Sequence, residues 1–305
     1  MATLSLLATV STAASDAEPR HRGPITDLLV HGDRVLSCSQ AGVISETVTG
    51  KDRRWLLRPE FRVYSLAPIS EQPGRIAIGG GLPAEAGIVA VLDVEAGELI
   101  AEQRISDDLV YSLAVDPEST SVAAACADGG IVTLRLDKLG SSELATRHRH
   151  TATARDVAFS ADGSRLASCG HDGLILLSTW PDSTDAAPLA LAGHTAAVHC
   201  LAFSPDGKQI ASGARDGKVR LHHIDGPHRR TWSRLDGEVS CVTWSSVALF
   251  VGTSSGIVYR LSPINDQATS LNDKNSDPVF AIAASDGGKL AVARFALQVT
   301  DLPRQ

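Results

Sequence analysis

The chain has 305 residues, 43% of them apolar and 21% charged, with 26 glycines to supply turns; this is globular composition, enough for one or two ordinary domains. Its formal charge of −7 argues against a dominant phosphate-binding surface, so nucleic acid is not expected as a partner. Aromatic residues make up only 4%, which leaves a core to be filled by Val, Leu, Ile and Ala, and the five cysteines show neither CxxC spacing nor an even count, so neither a zinc site nor a full disulfide framework is suggested.

Taken in order, the chain opens with MATLSLLATVSTAASDAEP, which admits two readings. The short apolar run and Ala-Ala-Ser have the look of a secretory signal, but no Lys or Arg precedes the run, as a secretory n-region requires. TLSLLAT, residues 3–9, also reads as a strand, and this fits better. From there seven strand-like runs share the pattern apolar, variable, small, apolar: ITDLLV from Ile25, VYSLAP from Val63, VYSLAV from Val110, ARDVAF from Ala154, VHCLAF from Val198, VSCVTW from Val239 and VFAIAA from Val279. They recur at intervals of 38 to 47 residues, and each is followed by a second and a third strand-like run. A period in this range signals a propeller or solenoid, so the whole chain is one repeat architecture with a continuous core. Residues 79–87, GGGLPAEAG, lead into no helix and no Gly-Lys-Ser/Thr, so they read as a long surface hairpin and not as a phosphate loop. Short basic clusters such as Arg147-His148-Arg149-His150 fall in loops before a repeat, where solvated charge is expected.

The strongest internal match is between residues 150–178 and 194–222, offset by 44. It covers strands and turns alike: the Ser-x-Asp-Gly turns at Ser160 and Ser204, then a second strand, then Asp172-Gly173 and Asp216-Gly217. Here the chain resembles the WD-repeat family of β-propellers, in which a His before the first strand, a Ser or Thr on the second and an Asp in the following turn hydrogen-bond one another, with a Trp closing the third strand. His150, Ser168, Asp172 and His194, Ser212, Asp216 match that set; Ser178 and His222 stand where the Trp is expected. Elsewhere the pattern thins. The loop His recurs as His21 and the turn Asp as Asp128, while Ala41 and Ser255 replace the Asp. The resemblance implies an all-β fold, a seven-bladed propeller of four-stranded antiparallel blades spanning residues 1–305 as one domain, its last blade completed by residues 3–9 so that no sheet edge stays open.

Ser, His and Asp together invite a catalytic-triad reading. That reading fails on context, because the set recurs in two blades with the same spacing whereas a nucleophile needs one site and an oxyanion hole. The third residues of the first strands are Asp27, Ser65, Ser112, Asp156, Cys200, Cys241 and Ala281, and two Asp among seven are thin for a cation site. The second residues are more informative. Tyr64, Tyr111, Arg155, His199 and Phe280 are aromatic, His or Arg in a protein short of aromatics, and His171 and Arg215 precede the turn Asp nearby. These seven form the candidate partner-binding rim around the channel mouth; the competing reading is that the rings simply pack between blades. The resemblance thus implies a non-enzymatic scaffold docking a protein or peptide, as a subunit of a larger assembly. No catalytic residue, metal or other cofactor is expected, no membrane association, and a cytoplasmic location suits buried thiols. The alternative is a catalytic or metal-binding, lactonase-like propeller that uses its central channel.

Overall fold

Short runs of Val, Ile, Leu and Ala, fenced by Pro, Asp and Gly, pair with their sequence neighbours into seven antiparallel sheets. The computed structural model describes residues 21–301, apart from residue 22 and the stretches 32–33, 43, 49–53, 58, 73, 142, 182–186, 192, 227–228, 234, 247, 264–266, 273–276, 285–288 and 295–296. The expectation for residues 3–9 and the signal-peptide reading both lie outside the described residues.

Blade 1 consists of Ile25–His31, Arg34–Ser39, Ile44–Val48 and Arg54–Leu57; blade 2 of Arg62–Pro68, Arg75–Leu82, Ala86–Asp93 and Glu98–Ser106. Blade 3 follows with Val110–Val115, Ser121–Cys126, Gly130–Arg135 and Ala145–Arg149, and blade 4 with Ala154–Phe159, Arg165–Gly170, Ile175–Thr179 and Leu189–Leu191. Blade 5 has Val198–Phe203, Gln209–Ala214, Val219–His223 and Arg229–Trp232; blade 6 has Val239–Trp244, Leu249–Thr253, Val258–Leu261 and Ala268–Ser270. Blade 7 contains Ala281–Ala284, Lys289–Ala293 and Leu297–Asp301 among the described residues. One helical turn, Leu136–Lys138, interrupts the strands, and no described helix is long and apolar enough to cross a membrane.

Seven apolar clusters fill the seven seams between neighbouring blades. The one between blades 2 and 3 joins Ala77, Val89 and Val91 to Leu113, Val122 and Ala124. The seam that closes the ring sets Ile25, Leu28 and Val35 of blade 1 against Ala281, Ala291 and Leu297 of blade 7. Val, Leu, Ala and Ile carry these seams because each sheet is covered on both faces, and large rings such as Trp232, Tyr259, Phe61 and Phe250 enter only a few of them. The second strand of blade 3, SVAAAC, is buried at every position.

Two details differ from the sequence register. The glycine-rich stretch in blade 2 is mostly strand, paired out to Leu82 opposite Ala86, so the turn shrinks to Pro83–Glu85. Its glycines answer close backbone approach: a Cβ on Gly80 would lie 1.8 Å from the Arg62 carbonyl oxygen. In blade 7 the first strand begins at Ala281, because the Val279 amide donates to the Thr253 carbonyl of blade 6.

Candidate functional site

The candidate rim owes its geometry to a recurring irregularity. In six blades the register slips between the first and third residues of the first strand, as between Ile25 and Asp27 or Ala154 and Asp156, so the second residue is left unpaired in a β-bulge. A bulge re-aims the side chain it carries. The bulged residues are Thr26, Tyr64, Tyr111, Arg155, His199 and Ser240, all of intermediate burial beside buried neighbours on the same strands.

These positions do two different things. Thr26 Oγ1 donates to the Val63 carbonyl at 3.0 Å and Ser240 Oγ to the Val279 carbonyl at 2.6 Å, each binding its blade to the next. Tyr64, Tyr111 and Arg155 instead stack on one another across three blades. The tyrosine rings meet edge to face with centroids 5.3 Å apart, and the Arg155 guanidinium carbon lies 4.5 Å from the centre of the Tyr111 ring. The His171 and His199 rings continue the row at 5.9 Å. Burial first, then the nearby Arg155 charge, hold both imidazoles below the ordinary histidine range, so both are neutral at pH 7. Arg215 turns to the next blade and pairs with Glu238 at 3.0 Å. Phe280 is half-buried, just before the first strand of blade 7.

The His, Ser and Asp of blades 4 and 5 meet. His150 Nδ1 lies 3.0 Å from both Asp172 carboxylate oxygens and its Nε2 lies 2.9 Å from Ser168 Oγ. His194 repeats this with Asp216 at 3.1 Å and Ser212 at 2.9 Å. Because a carboxylate only accepts, Nδ1 carries the proton and Nε2 accepts from the serine hydroxyl. Burial pushes both histidines below their ordinary range in spite of the carboxylate, so these are hydrogen bonds of neutral imidazoles. Each Asp also accepts backbone amides, Thr151 and Leu174 for Asp172 and Thr195 and Lys218 for Asp216, tying loop to turn.

Comparison with known families is consistent with this geometry. The family of the WD domain, G-beta repeat, matches residues 141–177 and 188–223, the segments that build these two sets. A search of curated proteins returns no match. Seven blades in a closed ring, together with two matched repeats, decide the family. The chain is a WD-repeat β-propeller.

In this WD-repeat propeller, blade 4 replaces the missing Trp from the neighbouring blade. His148, on the outer strand of blade 3, places Nε2 2.8 Å from Ser168 Oγ. With the serine proton given to His150, the oxygen accepts from His148 Nε2–H, and the row Asp172, His150, Ser168, His148 is complete. The sequence signal was there: His148 and His150, two apart at the end of a strand, share one face. In blade 1, His21 Nε2 reaches Ser37 and Ser45 at 3.0 and 3.2 Å without a turn Asp.

The third residues of the first strands form a polar belt inside the propeller. Asp27 accepts from Leu28 N, Leu66 N and Ser65 Oγ; Ser65 Oγ accepts from Leu113 N; Ser112 Oγ donates to Asp156, which also accepts Val157 N and Leu201 N. The lone pairs of both carboxylates are thus directed at strand amides and serines of their own and the adjoining blades. Burial raises Asp27 to about 6 and lifts Asp156 above the usual carboxylate range.

Proposed function

We propose that this WD-repeat propeller is a protein-interaction scaffold whose partner docks as a peptide or small domain on the channel-mouth face. The observation that carries the reading is the row Tyr64, Tyr111, Arg155, His199 and His171, contributed by four consecutive blades and left partly exposed. Aromatic rings and Arg supply large contact area at low entropic cost and are the side chains that anchor partners. Their bulged positions sit on strands held from both sides, so the row is preorganised. The five cysteines are free and buried, which supports placing the protein in the reducing cytoplasm.

The test is affinity capture from native extract with the intact chain as bait, beside a variant in which Tyr111, Arg155 and His199 are all alanine. A partner set captured by the wild-type chain and lost with the equally folded variant is the expected result. Unchanged capture by that variant would put the binding surface elsewhere.

A further inference from the structure

We propose that the channel mouth receives the carboxylate side chain of an acidic peptide, gripped by the Arg155 guanidinium where it lies over the Tyr111 ring. This rests on the docking role of that face and names the chemistry of what docks there. The primary observation is an arginine with no acceptor. Among the described residues Arg155 has no hydrogen-bond or ion-pair partner, and its Nε is fully buried without one; its contact is with the face of Tyr111 at 4.5 Å. A half-buried guanidinium presenting five donors and no acceptor is costly unless something supplies one. Other arginines are answered: Arg215 by Glu238, Arg149 by Asp128, Arg294 by the Gly256 and Asp277 carbonyls. The carboxylate closest in sequence, Asp156, points the other way, with both oxygens committed to Ser112, Val157 and Leu201.

The surroundings select among anions. His171 and His199 flank the guanidinium but are neutral at pH 7, Arg215 is neutralised by Glu238, and the charges of Arg62 and Asp108, which also reach Tyr111, oppose each other, so the site offers one net positive charge. A planar guanidinium fork matches a monoanionic carboxylate in charge and in bidentate geometry. A phosphate dianion is ordinarily met by a cluster of Arg. Tyr111 behind the fork lowers the local dielectric and holds the plane of the guanidinium, while Tyr64 extends an amphipathic floor for the residues next to the carboxylate.

The experiment uses the full chain and three fluorescein-labelled peptides followed by anisotropy: hexaglutamate, hexaglutamine, and a six-residue peptide of alternating serine and phosphoserine. Hexaglutamate is expected to bind about tenfold more tightly than hexaglutamine, the scale of one charge-assisted pair. Adding it should shift the His171 and His199 imidazole resonances. Arg155→Gln should erase the tenfold preference, and Arg155→Lys, which keeps charge but not the fork, should retain part of it and serves as the check that loss is not misfolding. Equal binding of hexaglutamate and hexaglutamine, or a preference that survives Arg155→Gln, overturns the proposal. Tighter, Arg155-dependent binding of the phosphoserine peptide overturns the carboxylate assignment. In the capture assay, if the triple alanine variant loses its partner while Arg155→Gln keeps it, the docking face stands and the carboxylate grip falls; if both keep it, the docking face itself falls.

Discussion

Ser168→Ala and Ser212→Ala remove the same hydroxyl from equivalent positions, and the structure says they will not cost the same. Ser168 Oγ serves two imidazoles, His150 Nε2 at 2.9 Å and His148 Nε2 at 2.8 Å, whereas Ser212 Oγ serves His194 alone at 2.9 Å. A buried polar atom stripped of its partner costs about 1–3 kcal/mol. Ser212→Ala orphans one, so about 1.5 kcal/mol is expected. Ser168→Ala orphans His150 Nε2, whose side chain is completely buried, together with the half-buried His148 donor, so about 3 kcal/mol is expected by the same rule. For a chain of this size each kcal/mol moves the midpoint by about 2 °C, giving drops of about 6 and 3 °C. Urea and thermal unfolding followed by circular dichroism read both. In a His148→Ala background the Ser168→Ala cost should fall to the Ser212→Ala value, a coupling of about 1.5 kcal/mol. Equal losses from the two serine variants in the wild-type background would refute the shared-hydroxyl geometry.

The same row makes a pH prediction. Burial, with help from the His150 and Arg147 charges, lowers His148 from 6.5 to about 4. A base whose folded value is depressed contributes stability that is complete above its unfolded value and is lost as the pH falls through the folded one. The window is therefore pH 6.5 down to about 4, and the contribution is at most about 3 kcal/mol, reduced by the solvent that reaches the half-buried ring. His148→Gln keeps a donor for Ser168 but cannot titrate. It should match the wild-type midpoint at pH 7 within about 1 kcal/mol and lose less than the wild type between pH 6.5 and 4.

Three further outcomes can be measured on the same protein. Asp27 runs with opposite sign: its folded value is raised to about 6 from 3.8, so its contribution is complete below pH 3.8 and is lost as pH rises through about 6, and Asp27→Asn should flatten that stretch of the urea-midpoint profile while lowering stability at pH 4, where an amide NH2 would face the Leu66 amide. Burial drives the thiols upward, Cys126 and Cys241 to about 12, so Ellman's reagent at pH 8 should find none of the five cysteines in the native protein and all five in denaturant. Gly80→Ala puts a Cβ 1.8 Å from the Arg62 carbonyl oxygen and should cost more than about 3 kcal/mol, since backbone on both sides must move; a loss under about 1 kcal/mol would show that the first two strands of blade 2 are not so close.

The fold was legible because its strongest signals are local. In both Ser-x-Asp-Gly turns the serine hydroxyl donates to the Asp and accepts the amide five residues on, Arg165 for Ser160 and Gln209 for Ser204, while Gly163 and Gly207 take positive φ of 69° and 68°. Such a turn needs only six residues of one chain, so sequence alone displays it. Blades 1 to 3, 6 and 7 lack that full signature and were visible through strand spacing. What each second-position residue does could not be read: whether its side chain stacks on its neighbours, as Tyr111 does, or ties to the next blade, as Thr26 and Ser240 do, depends on what the neighbouring blade presents. His148 escaped for the same reason, since its partner Ser168 belongs to a different blade. The belt from Asp27 to Leu201 is likewise a cross-blade pattern, and no spacing within one repeat encodes it.

The bulge explains how one short strand serves both the ring and its face. Without it, successive residues would alternate across the sheet; with it, the second residue is re-aimed and stays partly exposed while the third turns into the seam with the next blade. In blades 1 to 4 that third residue is Asp27, Ser65, Ser112 or Asp156, and the belt pins each first strand to its neighbour through a charge-assisted or hydroxyl hydrogen bond. In blades 5 and 6 it is Cys200 or Cys241, and the seam is apolar: Gly213 and Gly252 are so close to Val239 and Val279 that a Cβ there would fall 2.2 and 2.5 Å from a valine methyl. Tyr64, Tyr111 and Arg155 each immediately precede a belt residue. The polar half of the ring therefore lies directly behind the aromatic and cationic row, and the strands that carry the row are those whose positions are fixed by directional bonds as well as by packing. A partner meeting that face meets side chains whose backbone has already given up its freedom, which is the condition under which a few anchors suffice.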